Sequence, residues 1–162
     1  APYGHQPVGA EVVSFNLDIV GGTVGSLCEA YREVTRHDEA GHWVNLLFNH
    51  ETPDIAVESP YTHSALRVRL KRPGPLFVRV PPWVEVERIK VQGARGTPRL
   101  ANGYLMLSQP PVNRTVSVEF PLSPQEVTLN HRKRRIRTLL RGDEVVAMDN
   151  FGADLTFFNP MD

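Results

Sequence analysis

The chain has 162 residues, enough for one ordinary domain with a real core and a short appendage. Eighteen Lys and Arg offset eighteen Asp and Glu, so no global field favours nucleic acid, an anionic membrane or an acidic polymer. A single cysteine, Cys28, excludes an intramolecular disulfide framework and a cysteine-rich zinc site. No apolar run approaches the roughly 18 residues of a membrane span, and residues 1–10 lack a signal-peptide core. We therefore expect a soluble chain, cytoplasmic or secreted, with no membrane partner. It begins at Ala1 rather than Met, which suggests a processed or excised piece of something longer.

Residues 1–10 are turn-rich, with Pro2, Gly4, Pro7 and Gly9. Val13, Phe15, Leu17 and Ile19 alternate with other residues as in a strand, which Gly21-Gly22 would interrupt. Val24, Leu27, Cys28 and Tyr31 then fall at i, i+3, i+4 and i+7. That spacing predicts a helix over Val24–Arg36, capped by Thr23, with Arg36 and His37 at its cationic end and Gly41 beyond. Cys28 sits on the apolar stripe, where a thiol behaves as a small buried hydrophobe.

After Gly41 the period changes from 3.6 to 2. Strands are expected at His42–Asn49, Ile55–Glu58, Leu66–Lys71, Leu76–Val80, Val84–Val91, Tyr104–Leu107 and Thr115–Phe120. Four more follow at Glu126–Asn130, Ile136–Leu140, Val145–Met148 and Leu155–Phe158. Leu66, Val68 and Leu70 alternate with Arg67, Arg69 and Lys71, the pattern of a sheet with one wet face. Asn102-Gly103 predicts a type I′ hairpin, since both residues accept positive φ. Pro81-Pro82 cannot donate to a ladder, so the chain there should leave its sheet. The fold class expected is mainly β: an antiparallel, jelly-roll-like β-sandwich preceded by one short α-helix. The domain division expected is a lead-in over 1–40 and the sandwich over 41–162.

Catalytic groups are scattered. The six histidines show no pair at metal-ligand spacing, and residues 21–25 lack the Walker lysine and the dinucleotide glycine pattern. We expect no metal and no other cofactor in this chain. Glu51, Asp54, Glu58, Asp143 and Glu144 lie near strand ends, where an acid and a nucleophile could face each other, but nothing singles one out. The basic run His131–Arg135, with Arg137 and Arg141, reads as a solvated sheet face rather than a nucleic-acid site, since it has no interleaved aromatics. Asn113-Arg114-Thr115 fits a glycosylation sequon. Among the aromatics, Trp43 lies in an apolar strand and is expected in the core. Trp83, Tyr61 and Tyr104 are the candidates for contact with sugar rings, whose apolar faces stack on aromatic side chains.

The stretch Asp18-Ile-Val-Gly-Gly-Thr through Leu27-Cys28-Glu29-Ala30, then Gly41-His-Trp-Val-Asn-Leu-Leu-Phe48, resembles the junction in the β-L-arabinofuranosidase family of glycoside hydrolases. There a late helix of an α/α barrel runs into a C-terminal β-sandwich. Leu76-Phe-Val-Arg-Val-Pro-Pro-Trp-Val84, Asn102-Gly-Tyr-Leu105 and Leu139-Leu-Arg-Gly-Asp143 resemble its sandwich signatures in the same order, so the resemblance covers about residues 18–150. It implies hydrolysis of plant-type glycans through a zinc-bound cysteine nucleophile with further cysteines and a glutamate. The paired cysteines have no counterpart here, because Gly21-Gly22 stands nearby and Cys28 is the only thiol. The nucleophile role is not carried onto Cys28, and no catalytic residue is assigned. The expectation is a C-terminal sandwich of a glycoside-hydrolase-like protein, not catalytic alone. Its partner would be a helical N-terminal domain, or a second copy, against residues 22–36. The alternative is an independent carbohydrate- or protein-binding module.

Overall fold

The computed structural model describes residues 13–131, 134–149 and 159–161. Among the described residues one α-helix, α1 (Val13–Arg32), precedes thirteen strands: β1 (Thr35–Asp38), β2 (Gly41–Val44), β3 (His50–Glu51), β4 (Ile55–Glu58), β5 (Leu66–Leu70), β6 (Leu76–Arg79), β7 (Lys90–Gln92), β8 (Arg99–Ala101), β9 (Tyr104–Leu107), β10 (Thr115–Glu119), β11 (Pro124–His131), β12 (Arg134–Arg141) and β13 (Glu144–Met148). They form two five-stranded sheets, β1-β2-β6-β9-β8 and β3-β4-β5-β10-β7, and a three-stranded sheet β11-β12-β13. The expected mainly-β, sandwich-like arrangement with one preceding helix is therefore the one observed. The strands named in these sheets pair antiparallel except β2 and β6, which run parallel with Trp43 opposite Phe77.

Alternation builds the core. Val44, Leu76, Val78, Leu105 and Leu107 from the first sheet meet Ile55, Val57, Leu66, Val68, Leu70, Val116 and Val118 from the second, joined by Leu47, Val84 and Phe120 from the connecting segments. A buried Leu or Val contributes about 1.5–3 kcal/mol relative to exposure, so this continuous cluster holds the two sheets face to face. The sandwich thereby buries its own apolar faces without help from α1. Arg67 and Arg69 point outward between the buried Leu66, Val68 and Leu70, as their alternation predicts.

The Asn102-Gly103 hairpin takes the expected form, with φ of 50° and 76° and Ala101 paired to Tyr104. Pro81-Pro82 does end β6. The expected strand Val84–Val91 is instead a 3₁₀ turn over Val86–Arg88 followed by β7. Having left the sheet at the prolines, the chain turns back with the Val84 N–H donating to the Pro81 carbonyl at 3.1 Å, and residues 84–88 join no ladder.

The lead-in differs most. The expected strand over 13–19 and the helix over 24–36 are one helix, Val13–Arg32, running through Gly21-Gly22. Thr23 is thus an interior residue, not a cap. Val13, Leu17, Val24, Leu27 and Tyr31 share a helical phase in the sequence, and each interior glycine costs only about 1 kcal/mol against Ala. At the other end Arg36 and His37 leave the helix for β1, because pairing with β2 (Arg36 opposite Trp43, His37 opposite His42) offers a full ladder. The sheet therefore starts at Thr35, before the residue at which the sandwich was expected to begin. The strand expected over Leu155–Phe158 lies outside the described residues.

No helix among the described residues is long and apolar enough to cross a membrane.

Candidate functional site

Two of the three sugar-contact candidates meet at the tip of the β12–β13 hairpin. Its turn, Gly142-Asp143, lies against Tyr61 and Trp83. The Trp83 indole N–H donates to Asp143 Oδ1 at 2.9 Å, and the Tyr61 hydroxyl accepts the Asp143 backbone N–H at 2.9 Å. That hydroxyl also lies 3.4 Å from Asp143 Oδ2 as a weak donor. Partial burial, then the Asp143 charge, pushes the Tyr61 phenol above its usual range, outweighing the backbone N–H that favours phenolate. Tyr61 is therefore a protonated donor at neutral pH. Gly142 is required here: its φ is +64°, and a Cβ would stand 2.7 Å from the Tyr61 hydroxyl and 2.8 Å from Trp83 Cζ2.

The third candidate, Tyr104, is linked to the same region. Its hydroxyl donates to Asn45 Oδ1 at 2.9 Å, while Asn45 Nδ2 donates to the Glu33 carbonyl at 3.1 Å. A pocket of about 300 Å³ opens beside these groups, with Asn45, Phe48, Tyr61, Arg79, Pro82 and Asp143 in its wall. Phe48 is 55% exposed. Neither Asn45, Phe48 nor Arg79 was singled out in the sequence, where they fell inside the expected strands His42–Asn49 and Leu76–Val80; β2 instead ends at Val44, which places Asn45 and Phe48 in the loop beyond it.

A larger cleft of about 470 Å³ lies over the outer face of the second sheet, where Tyr31 of α1 meets His50 edge to face at 4.8 Å. Its charges are largely matched internally: Arg67 pairs with Glu58 at 2.7 Å, His63 lies 3.8 Å from the same carboxylate, and Lys71 pairs with Glu51 at 2.7 Å.

The acidic candidates do not assemble into a catalytic pair. Glu51 and Glu58 are paired as above, Asp54 with Arg72 at 2.8 Å and Glu144 with Arg141 at 2.5 Å. Asp143 has no ion pair among the described residues and is held by the neutral indole and phenol. The basic run is likewise occupied in part, Arg137 pairing with Asp149 at 3.0 Å on the solvated face of β12. Among the described residues no three His, Cys, Asp or Glu side chains cluster as metal ligands would. Asn113 is exposed, in a turn with φ of 57°.

Two expectations are corrected. Trp43 is not core: β2 turns His42 and Val44 inward and Trp43 outward, where it stacks on Phe77 at 4.1 Å under the Arg36 guanidinium at 5.3 Å. Cys28 is not buried either. Every described side chain from Gly22 to Glu33 is exposed, Val24 by 52%, Leu27 by 64% and Tyr31 by 60%. The stripe read from the sequence exists, but neither it nor any other face of α1 from Gly22 to Glu33 is covered.

No family model matches the chain, and no curated protein matches it in sequence.

Proposed function

We propose that this chain is the C-terminal β-sandwich part of a glycoside-hydrolase-like protein acting on plant-type glycans, and that it supplies contact surface rather than catalysis. The observation that supports this reading is the exposed stripe of Val24, Leu27 and Tyr31 on α1, of which only Tyr31 touches the sandwich, at His50. Apolar residues at helical spacing belong to a helix with a partner, and the sandwich beside it closes its core without them. The sequence resemblance supplies the partner's kind, a helical barrel domain joined at this helix. The carboxylates favour a non-catalytic reading: four of the five candidates are ion-paired with no second carboxylate facing them among the described residues, and Cys28 is the only thiol.

The chain assayed against aryl arabinofuranosides should give no turnover above buffer. Turnover that survives repurification and disappears in Cys28→Ala would contradict the reading. The alternative, an independent binding module, is favoured by one observation, the pocket with the exposed Phe48. A module needs no partner on α1, so substitutions at Leu27 would leave its hydrodynamic state unchanged.

A further inference from the structure

We propose that the pocket walled by Phe48, Asn45, Arg79 and Asp143 binds one neutral sugar ring of a glycan. Its volume, about 300 Å³, is at the low end for small-molecule sites and admits a single ring.

The recognition groups are held before any ligand arrives. Asp143 is oriented by the indole of Trp83 and the phenol of Tyr61, which leave part of its acceptor capacity free. The Asn45 amide is fixed at both ends, by Tyr104 and by the Glu33 carbonyl, and keeps one N–H to give. Arg79 has no ion pair among the described residues and offers five N–H donors. Preorganised donors and acceptors lower the cost of binding a small ligand.

Charge selects the ligand class. A carboxylate and an unpaired guanidinium in one wall disfavour a net anion and a net cation alike. A hydroxyl suits both, donating to Asp143 while accepting from Arg79. The exposed Phe48 ring, with Leu46, Pro81 and Pro82 in the same wall, supplies the apolar surface on which the C–H face of a sugar stacks. The other aromatic cluster cannot serve in this way, because Trp43 and Phe77 stack on each other and Arg36 covers the indole. Tyr104 and Trp83 become positioning residues, each holding a group that touches the sugar.

The inference deepens the reading above and rests on it only for the origin of the sugar; the pocket stands whether or not a helical domain covers Leu27. The test is saturation-transfer NMR on the full 162-residue chain with methyl arabinofuranoside, xyloside and galactoside, and methyl galacturonide as the anionic probe. A neutral glycoside should bind in the millimolar range. Phe48→Ala and Arg79→Met, both at exposed positions, should each weaken it about tenfold, while Lys90→Ala should not change it. Leu27→Glu should also leave it unchanged, which separates failure of the pocket from failure of the helix reading. No transfer to any neutral glycoside, transfer indifferent to Phe48 and Arg79, or preference for the uronide would overturn the proposal.

Discussion

At His42 the fold buries an imidazole completely, with no hydrogen-bond partner for either ring nitrogen among the described residues, and stacks it on His37 at 4.3 Å. Burial first, then the charge His37 would carry, holds its pKa below the usual value of 6.5; the backbone at Pro73 and Arg72 and the Asp54 carboxylate act the other way. The unfolded chain therefore takes up a proton as pH falls through about 6.5 while the folded chain does not. Stability is full above that pH, falls on acidification, and levels off below the folded pKa. The carboxyls of Asp38, Glu51 and Asp149, held low by Trp43, Lys71 and Arg137 respectively, act in the same sense, because the unfolded chain again binds more protons, and lose their contribution only in a more acidic window. Urea unfolding at pH 7.5 and 5.5 should show the loss, at most about 1.4 kcal/mol per pH unit for one proton, and His42→Leu should flatten it. A wild-type slope of zero would remove the burial argument. Gly142 carries a second prediction at this scale. Gly142→Ala should cost about 1 kcal/mol or more, from the positive φ and the clash with Tyr61 and Trp83, and should shift Trp83 fluorescence toward the solvated value. Neither residue was visible in sequence: burial of His42 depends on which face of β2 turns inward, and Asp143 meets Trp83 across 60 positions of chain.

Among the elements, strands with clean alternation and a turn at each end were legible to the residue. Ile55–Glu58 and Tyr104–Leu107 are found as expected, and Leu66–Lys71 differs by one position. Strands lacking an apolar pattern were not. In β1, Thr-Arg-His-Asp is dominated by polar residues, and β8 is three exposed residues whose strand character comes from pairing with β9. The helix failed differently, because Gly21-Gly22 was read as punctuation while the 3.6 phase continued across it. Its stripe was legible, but its lack of cover was not, since a stripe names a need for burial and not the surface that meets it. This yields a prediction. Leu27→Glu should change the stability of the isolated chain by no more than about 0.5 kcal/mol, as expected for an exposed position without a native partner, and chemical denaturation of the two chains measures it.

For the molecule as a whole, labour is divided between a self-sufficient two-sheet core, an exposed helix and a small polar pocket. Covering Val24, Leu27 and Tyr31 would return about 1–2 kcal/mol each. Free association costs about 4–15 kcal/mol, so the stripe alone supports only weak pairing between separate copies. A domain joined through the same chain avoids most of that cost, which is why a helical domain fits the stripe better than a tight homodimer does. The most direct measurement is sedimentation equilibrium of the wild-type chain beside Leu27→Glu, loaded up to millimolar concentration. The account predicts reversible, concentration-dependent association of the wild type, lost in the variant while its stability is unchanged. Two monomers, with the variant markedly less stable, would mean that α1 packs on its own sandwich, and would contradict the account.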